Sequence, residues 1–317
     1  MSRSLANLLL LTAGAIWGMG FVAQQTAMDD IGPMLFIALR FLLAGFAVLP
    51  FAILEQRRTN GPGFLASVRD HSGGFFLVGL AFFLGMAFQQ IGLISTSVTN
   101  AGFLTALYVV IVPFIMVSVL RTPQPAIIWP AALLSVAGIY LLSGGDLLKL
   151  NFGDLLIIVC ALFWACHVIL TGRVGQKSGL PVTMATTQFF ITSAFAAAAF
   201  VLSVVSGTGE TLPDTQALQN ALPEIAYAGI FAGGLGFTLQ AVGQRYTSES
   251  AAAVLISTES LFAALFGAMF QGDRLSGIGY LGCAMIFIAI LVVELMPSRK
   301  KASPAKPAKP IANQSVD

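Results

Sequence analysis

The sequence predicts an all-α integral membrane protein with ten membrane-spanning helices, arranged as two inverted repeats of five helices. Three observations predict this class: an apolar composition, ten apolar runs of membrane-spanning length, and a pattern of residues that recurs in the second half. Of the 317 residues, 57% are hydrophobic and 9% are charged, with a mean hydropathy of +0.87. Soluble chains are roughly 45–50% apolar and about 25% charged. A soluble domain of this length cannot hide so much apolar surface, so lipid must surround much of the chain.

Polar, proline and glycine breaks divide the chain into apolar runs of about 20 residues, enough for an α-helix to cross ~30 Å of hydrocarbon. Continuous runs favour helices over a β-barrel, whose strands would alternate in segments of about 10 residues. The first run has no small-x-small cleavage site at its end, so we interpret it as a retained helix rather than a signal peptide. The predicted spans are residues 5–27, 31–54, 72–95, 98–120, 124–143, 154–173, 181–205, 222–245, 248–270 and 277–296.

Lys and Arg residues predict the orientation, because cytoplasmic loops carry an excess of them. If the N-terminus is cytoplasmic, thirteen of the sixteen basic residues fall on that side, Lys149 and Arg274 fall outside, and Arg40 lies within a span. We therefore expect an inner (plasma) membrane protein with both termini in the cytoplasm. Residues 297–317, rich in Lys, Pro and Ala, are expected to form a disordered basic cytoplasmic tail.

The sequence contains no motif of soluble enzyme chemistry. It has no P-loop and no dinucleotide fingerprint after a strand, and His71 and His167 lack metal-ligand spacing. The three cysteines fall within apolar runs and fit neither a zinc site nor a disulfide framework. We therefore expect no catalytic residue, metal or cofactor, and the net charge of +2 suggests no nucleic-acid partner.

The two halves of the chain share a register. The segment AFQQIGLISTSVTNAGFL aligns with TLQAVGQRYTSESAAAVL at a constant offset of 151, which places Gln89 on Gln240. Near the start of each half, GAIWGMGFV aligns with ALFWACHVI at an offset of 147, which places Trp17 on Trp164.

Each predicted repeat, 5–143 and 154–296, holds five spans. Because five is odd, the second repeat enters the membrane from the opposite side. Secondary transporters built from such inverted repeats bind their substrates near the membrane midplane, between the repeats.

Four segments resemble one family of membrane proteins. They are AIWGMGFV (15–22), ALRFLLAG (38–45), TSVTNAGFLTALYVVIVPF (96–114) and STESLFAALFGAMFQGDRLSGIGYLGCAMIFIAILVVE (257–294). In this order they resemble the ten-helix, EamA-type transporters of the drug/metabolite transporter superfamily. Ser260 stands where that family usually has Pro, and Asp273 where it has Glu.

The resemblance implies a ten-helix inverted repeat that moves small organic solutes, often outward. The family carries amino acids, drugs, sugars and other metabolites, so membership does not identify the cargo.

Glu259 is a carboxylate in the middle of an apolar span, where ionisation costs several kcal/mol, ~2.5–3.5 on insertion scales. It must face the bundle interior, a wet cavity or a partner, or else be protonated. One hypothesis is a pathway residue that binds a cationic group or carries a coupling proton; the other is a structural hydrogen-bonding residue. Its repeat mate is Tyr108, and both are candidates for a central substrate cavity.

Arg40 is the second charge within a span, and Gln188 is its repeat mate. It either binds a substrate carboxylate, pairs with Glu259, or has a structural or gating role with its stem reaching toward an interface. The resemblance implies an Arg at this position in transporters with differing cargoes. This favours the structural role.

Polar and aromatic residues in other spans complete the candidate cavity. His167 either shuttles protons or binds cargo, or is a packing residue. Trp17 lies beside polar groups on one helix face, which suits an amphipathic ligand or simple packing. Amides in lipid need partners and so turn inward. The candidate amides are Gln89, Gln240 and Asn100.

We expect a secondary transporter that exports a small-molecule substrate, with proton coupling through Glu259 as one hypothesis. The alternatives are a flippase for a lipid-linked carrier and a non-transporting membrane subunit. A subunit would need a sizeable extramembrane domain or partner motif, which the sequence lacks. The sequence does not determine the oligomeric state.

Overall fold

The computed structural model describes residues 1–142, 150–207, 209–270 and 277–294, and for residues 99, 100, 142 and 294 it describes the backbone alone. The predicted tail, 297–317, lies outside the described residues, as do Lys149, Arg274 and Asp273. Within the described ranges the regular structure is entirely helical.

The described residues form eight helices long and apolar enough to span a membrane and two shorter apolar helices, which confirms the predicted fold class. The helices are α1 (Arg3–Thr26), α2 (Pro33–Arg58), α3 (Ser72–Gly92), α4 in two segments (Val98–Thr105 and Tyr108–Ser118), α5 (Ile128–Leu142), α6 (Phe152–Ser178), α7 (Pro181–Ser206), α8 (Leu222–Gln244), α9 in two segments (Glu249–Ile256 and Glu259–Phe270) and α10 (Gly277–Glu294). Two short helices, Phe64–Asp70 and Thr215–Asn220, lie in the loops after α2 and α7.

The helix ends follow local sequence signals. Asn151 and Asp154 form a reciprocal capping box at the start of α6, which satisfies N–H groups that would otherwise lack partners. Pro33 and Pro181 occupy the first turns of α2 and α7, where a missing N–H costs nothing. Gly207 ends α7 with a φ of 65°, a conformation that glycine adopts without strain.

Helix packing repeats between the two halves. Helix α2 packs along α7, and α5 along α10, so each contacts its own equivalent. Helix α3 packs on α6 as α1 packs on α8, and α4 packs on α6 as α1 packs on α9. These contacts are unchanged when the first half is exchanged for the second, as expected for two inverted repeats.

Helices α4 and α9 are interrupted at equivalent positions, residues 106–107 and 257–258. After the first break the Val109 N–H donates to the carbonyl three residues back at 3.0 Å, and after the second the Ser260 N–H does the same at 3.1 Å. The predicted spans 98–120 and 248–270 gave no sign of these breaks, because apolar composition reports immersion in lipid and not backbone hydrogen-bond spacing.

The middle of α8, Tyr227–Gly236, is π-helical. The equivalent stretch of α3 is α-helical, so the two halves differ here. The segment YAGIFAGGLG contains four glycines, and it packs against both α1 and α2. Such π segments inside α-helices occur frequently at functional sites.

Candidate functional site

A cavity lies between the two repeats, beside the breaks in α4 and α9. The space there that no protein atom fills, including its open part, measures about 530 Å³. Several pairs of repeat mates line it. Among these pairs are Trp17 with Trp164, Gln89 with Gln240, and Tyr108 with Glu259.

Tyr108 and Glu259 meet directly across the repeat boundary. The Tyr108 hydroxyl donates a 3.0 Å hydrogen bond to Oε1 of Glu259. Their side chains are 3% and 6% exposed, respectively. Each residue is also the first of the helical segment that follows its break, so the repeat places both polar groups at the same depth.

The backbone around Glu259 is packed closely by α1. A Cβ added at Gly14 would clash with the Thr258 hydroxyl and lie 3.2 Å from the Glu259 nitrogen. Ser260, which occupies the place of the family's usual proline, donates from Oγ to the Gly102 carbonyl at 3.0 Å. The break in α9 is therefore held against both α1 and α4.

Trp17 is fixed at the end of the π-helical segment of α8. Its Nε1 donates to the Ala232 carbonyl at 2.9 Å. Phe237 donates its N–H four residues back, to Gly233, so α spacing resumes at this point. A Cβ at Gly236 would lie 2.6 Å from Trp17 Nε1, so the indole position depends on glycine there.

Aromatic rings form an apolar wall of the cavity. Phe237 contacts Trp17 at 4.4 Å between ring centroids and stacks on Trp164 at 5.6 Å with an interplanar angle of 3°. Phe21 and Phe41 also line the space. Flat apolar surfaces of this kind suit the apolar part of an organic ligand.

Arg40 lines the same cavity and is 2% exposed. Its Nη2 donates to the sulfur of Met86 at 2.8 Å, and its guanidinium carbon lies 4.8 Å from the ring centres of Phe36 and Phe41. Among the described residues no carboxylate lies within 4 Å of Arg40. The ion pair that these residues do form joins Arg69 and Asp70, which are exposed, at 3.9 Å. The hypothesis of an Arg40–Glu259 ion pair thus has no counterpart in this conformation.

The amides of the cavity are only partly hydrogen-bonded. Gln89 donates to the Thr105 hydroxyl at 3.2 Å. The carbonyl oxygens of Gln24 and Gln240 are buried, and no described residue donates a hydrogen bond to them. These oxygens are available to accept hydrogen bonds from a ligand.

Two predicted site residues are not placed at the cavity. His167 is fully buried behind its wall, 2.9 Å from Gln188 Oε1 and 3.1 Å from the Thr171 hydroxyl, with its ring 5.4 Å from that of Trp164. The side chain of Asn100 lies outside the described residues.

Equivalent hydrogen bonds join helices at the two ends of the bundle. The Thr96 hydroxyl donates to Oδ1 of Asp154 at 3.1 Å, joining α6 to the turn before α4. The Thr247 hydroxyl donates to Oδ1 of Asn7 at 2.7 Å, joining α1 to the turn before α9. Thr247 is the repeat mate of Thr96, and Asp154 is the repeat mate of Asn7.

Carboxylates tie α2 and α7 together at both ends. Glu55, near the end of α2, accepts the N–H groups of Val182 and Thr183 at 3.1 and 2.8 Å. Glu210, in the loop after α7, accepts those of Met34 and Leu35 at 2.6 and 3.1 Å. Each carboxylate therefore satisfies the free N–H groups at the start of the opposite helix, where negative charge is favoured.

Sequence reasoning missed several of these features. Glu55 lies three residues before the predicted loop residue Arg58, and nothing local indicates its partners in α7. The four glycines of YAGIFAGGLG are plain in the sequence, but nothing there indicates the π-helical spacing. Thr105 and Phe237 lack any charge or motif, and only the fold brings them to the cavity.

Comparisons with known proteins agree with this architecture. The model of the EamA-like transporter family matches residues 4–144 and 151–295. An uncharacterized transporter of Archaeoglobus fulgidus is 32% identical over 295 residues, which cover 93% of this chain and 87% of that protein. The uncharacterized transporter YwfM of Bacillus subtilis is 24% identical over 96% of this chain and 99% of its own length. The uncharacterized inner membrane transporter YedA of Escherichia coli is 25% identical over 92% of this chain and 90% of its own length.

A solved crystal structure has the same fold, with a TM-score of 0.69 at 20% sequence identity, covering 93% of this chain and 98% of that one. At that identity the likeness shows the fold alone. The family model covers nearly all of the helical region, in two adjoining matches. The chain therefore belongs to the EamA-like transporter family.

Proposed function

We propose that this protein is a secondary transporter that exports a small organic solute by alternating access around the cavity between its repeats. The observation that carries the proposal is the Tyr108–Glu259 pair, in which repeat mates meet at the equivalent breaks of α4 and α9. A transporter of this kind needs a ligand site shared by two halves that can exchange shapes.

The two end contacts supply matching gates. The Thr96–Asp154 bond holds one end of the bundle and the Thr247–Asn7 bond holds the other. Because the pairs are related by the repeat, breaking either one opens the cavity to a different side. The interrupted backbones of α4 and α9 supply the bending points for such a motion.

The Lys/Arg distribution supports cytoplasmic termini at an inner membrane. In that orientation Asn7 and Thr247 form the cytoplasmic gate, and Thr96 and Asp154 form the outer gate. A reporter that is active only in the cytoplasm, fused after Met1 or after Asp317, tests this orientation. We expect both fusions to be active.

Glu259 is the residue that we assign to coupling. It lines the cavity, and it accepts a hydrogen bond from the Tyr108 hydroxyl. A carboxyl group at this position can take up and release a proton at the cavity as cargo binds and leaves. In this alternating-access mechanism each repeat, residues 5–143 or 154–296, would move as one unit.

The purified protein in liposomes tests the function. The assay applies a pH gradient and measures flux of labelled amino acids, sugars and cationic dyes. We expect saturable flux of at least one class, reduced at least tenfold in Glu259→Gln. The matched control is Glu249→Gln, in the same helix but not at the cavity.

Other outcomes reject parts of the proposal. If Glu259→Gln keeps full flux and full pH dependence, the proton-carrier role is wrong. If only a lipid-linked sugar moves, the protein is a flippase. Growth of overproducing cells on toxic analogues tests direction, because an exporter raises tolerance whereas an importer lowers it.

A further inference from the structure

Arg40 is a buried cation that faces the cavity, and none of the carboxylates that the structure describes pairs with it. We infer that Arg40 is the anion-binding group of this cavity and that the cargo is an apolar or aromatic organic carboxylate. The inference rests on the proposed transport function, because it concerns what the cavity holds.

The surroundings of Arg40 stabilise its charge only in part. Phe36 and Phe41 each contribute a cation–π contact at 4.8 Å, and Met86 accepts one N–H through sulfur, which is a weak acceptor. The Arg40 Nε is buried with no hydrogen-bond partner. Among the described residues, at least one strong donor of the guanidinium therefore remains without an acceptor.

Glu259, the acidic residue that lines the cavity, is already engaged. It accepts the Tyr108 hydroxyl, and it is not within ion-pair distance of Arg40. Among the described lining residues Arg40 is the one basic side chain. Any anionic group that enters the cavity thus has a single cation to bind.

A guanidinium suits a carboxylate because its donors form a rigid fork that matches two carboxylate oxygens. It does not lose its proton in proteins, so burial cannot be relieved by neutralisation. A buried charge without a counter-charge is costly, and a carboxylate in the cavity removes that cost when it binds.

The second repeat carries no charge at the position equivalent to Arg40. The repeat mate of Arg40 is Gln188, which occupies the equivalent place on α7 as a neutral amide beside His167. The charge is therefore a difference between the two halves. The aromatic wall of Trp17, Trp164 and Phe237 gives the apolar part of the cargo its contact surface.

Tryptophan emission provides a direct binding assay. The chain contains three tryptophans, and Trp17 and Trp164 line the cavity. In a Trp129→Phe background all emission therefore comes from the cavity. The probes are matched pairs with the same carbon skeleton: 3-phenylpropanoate with 3-phenylpropanamide, and hexanoate with hexanamide. The full-length protein is titrated in detergent, without any transport step.

We expect each carboxylate to bind about 10- to 100-fold more tightly than its amide, the range for a charged hydrogen bond left unmade. Arg40→Gln, which introduces the residue of the second repeat, should abolish this preference. Arg40→Lys should keep part of it, because the charge remains while the fork is lost. Arg69→Gln, which removes an exposed cation, is the matched control and should keep all of it.

The comparison of carboxylate with amide binding in the protein that retains Arg40 tests the inference even if a variant fails to fold. Equal binding of carboxylate and amide, or no saturable response to any carboxylate, overturns the inference. So does a preference that survives in Arg40→Gln. Carboxylate binding without flux would sink the transport proposal alone, whereas flux of a neutral or cationic solute that is unaffected by Arg40→Gln would sink this inference alone.

Discussion

The hydroxyl of Tyr108 lies 3.0 Å from Oε1 of Glu259, and the two residues are repeat mates at the equivalent breaks of α4 and α9. One half supplies a phenol and the other a carboxyl group. A contact between equivalent residues must lie close to the axis that relates the halves. Because the bond joins the two halves, motion of one half against the other acts on it directly.

Removal of the Tyr108 hydroxyl should therefore affect function through Glu259. We predict that Tyr108→Phe lowers flux about tenfold, corresponding to ~1.4 kcal/mol, because one hydrogen bond to a buried carboxyl group is lost. Flux through liposomes measures the effect. In a double-mutant cycle, Tyr108→Phe should add little in a Glu259→Gln background; full additivity would show that the two residues act independently.

The two gates should be separable by isosteric substitution. Thr96→Val and Thr247→Val each remove one hydroxyl bond, worth ~1 kcal/mol, at opposite ends of the bundle. The measurement is labelling of Ala232→Cys, at the cavity, in a chain whose three native cysteines are replaced by Ala. With a membrane-impermeant thiol reagent, Thr96→Val should raise labelling from outside and Thr247→Val from inside, each about fivefold.

Ser118→Ala serves as the control for the gates, because its exposed hydroxyl donates within its own helix, to the Phe114 carbonyl. Equal labelling from both sides in both valine variants would contradict the assignment of the gates to opposite faces.

The carboxylate ties between α2 and α7 should contribute to stability. Glu55→Ala and Glu210→Ala each leave two N–H groups at a helix start without their carboxylate. We predict a loss of about 1–2 kcal/mol for each, seen as a lower unfolding temperature in detergent. Because the ties lie at opposite ends of the helix pair, the two losses should add. A double variant no less stable than either single one would indicate that the ties act as one unit.

Gly236 should tolerate no side chain. Gly236→Ala places a methyl group against the Trp17 indole and displaces its bond to Ala232. We predict a destabilisation of about 1–3 kcal/mol, with a shift in tryptophan emission. Gly73→Ala is the control, since a Cβ there meets no atom within 4 Å. Unchanged emission in Gly236→Ala would contradict the packing described for Trp17.

The sequence predicted the helices well because each apolar run has to satisfy its backbone within itself in lipid. It also paired Tyr108 with Glu259, because identical residues on either side of them establish the register of the repeat. It did not indicate the breaks, the π-helical segment or the partners of Glu55 and Glu210. These depend on contacts between helices distant in the chain, such as Gly14 against Thr258, which no local pattern encodes.

The pairs that differ between the halves bear on the resting state. If the two inverted repeats were identical, the inward-facing and outward-facing forms would be equivalent and would have equal free energy. Arg40 opposite Gln188, Gly20 opposite His167, and the π-helical stretch of α8 opposite a regular stretch of α3 break that equality. An empty protein will thus rest unevenly between its two orientations, and substitutions that make these pairs alike should bring the two populations toward balance.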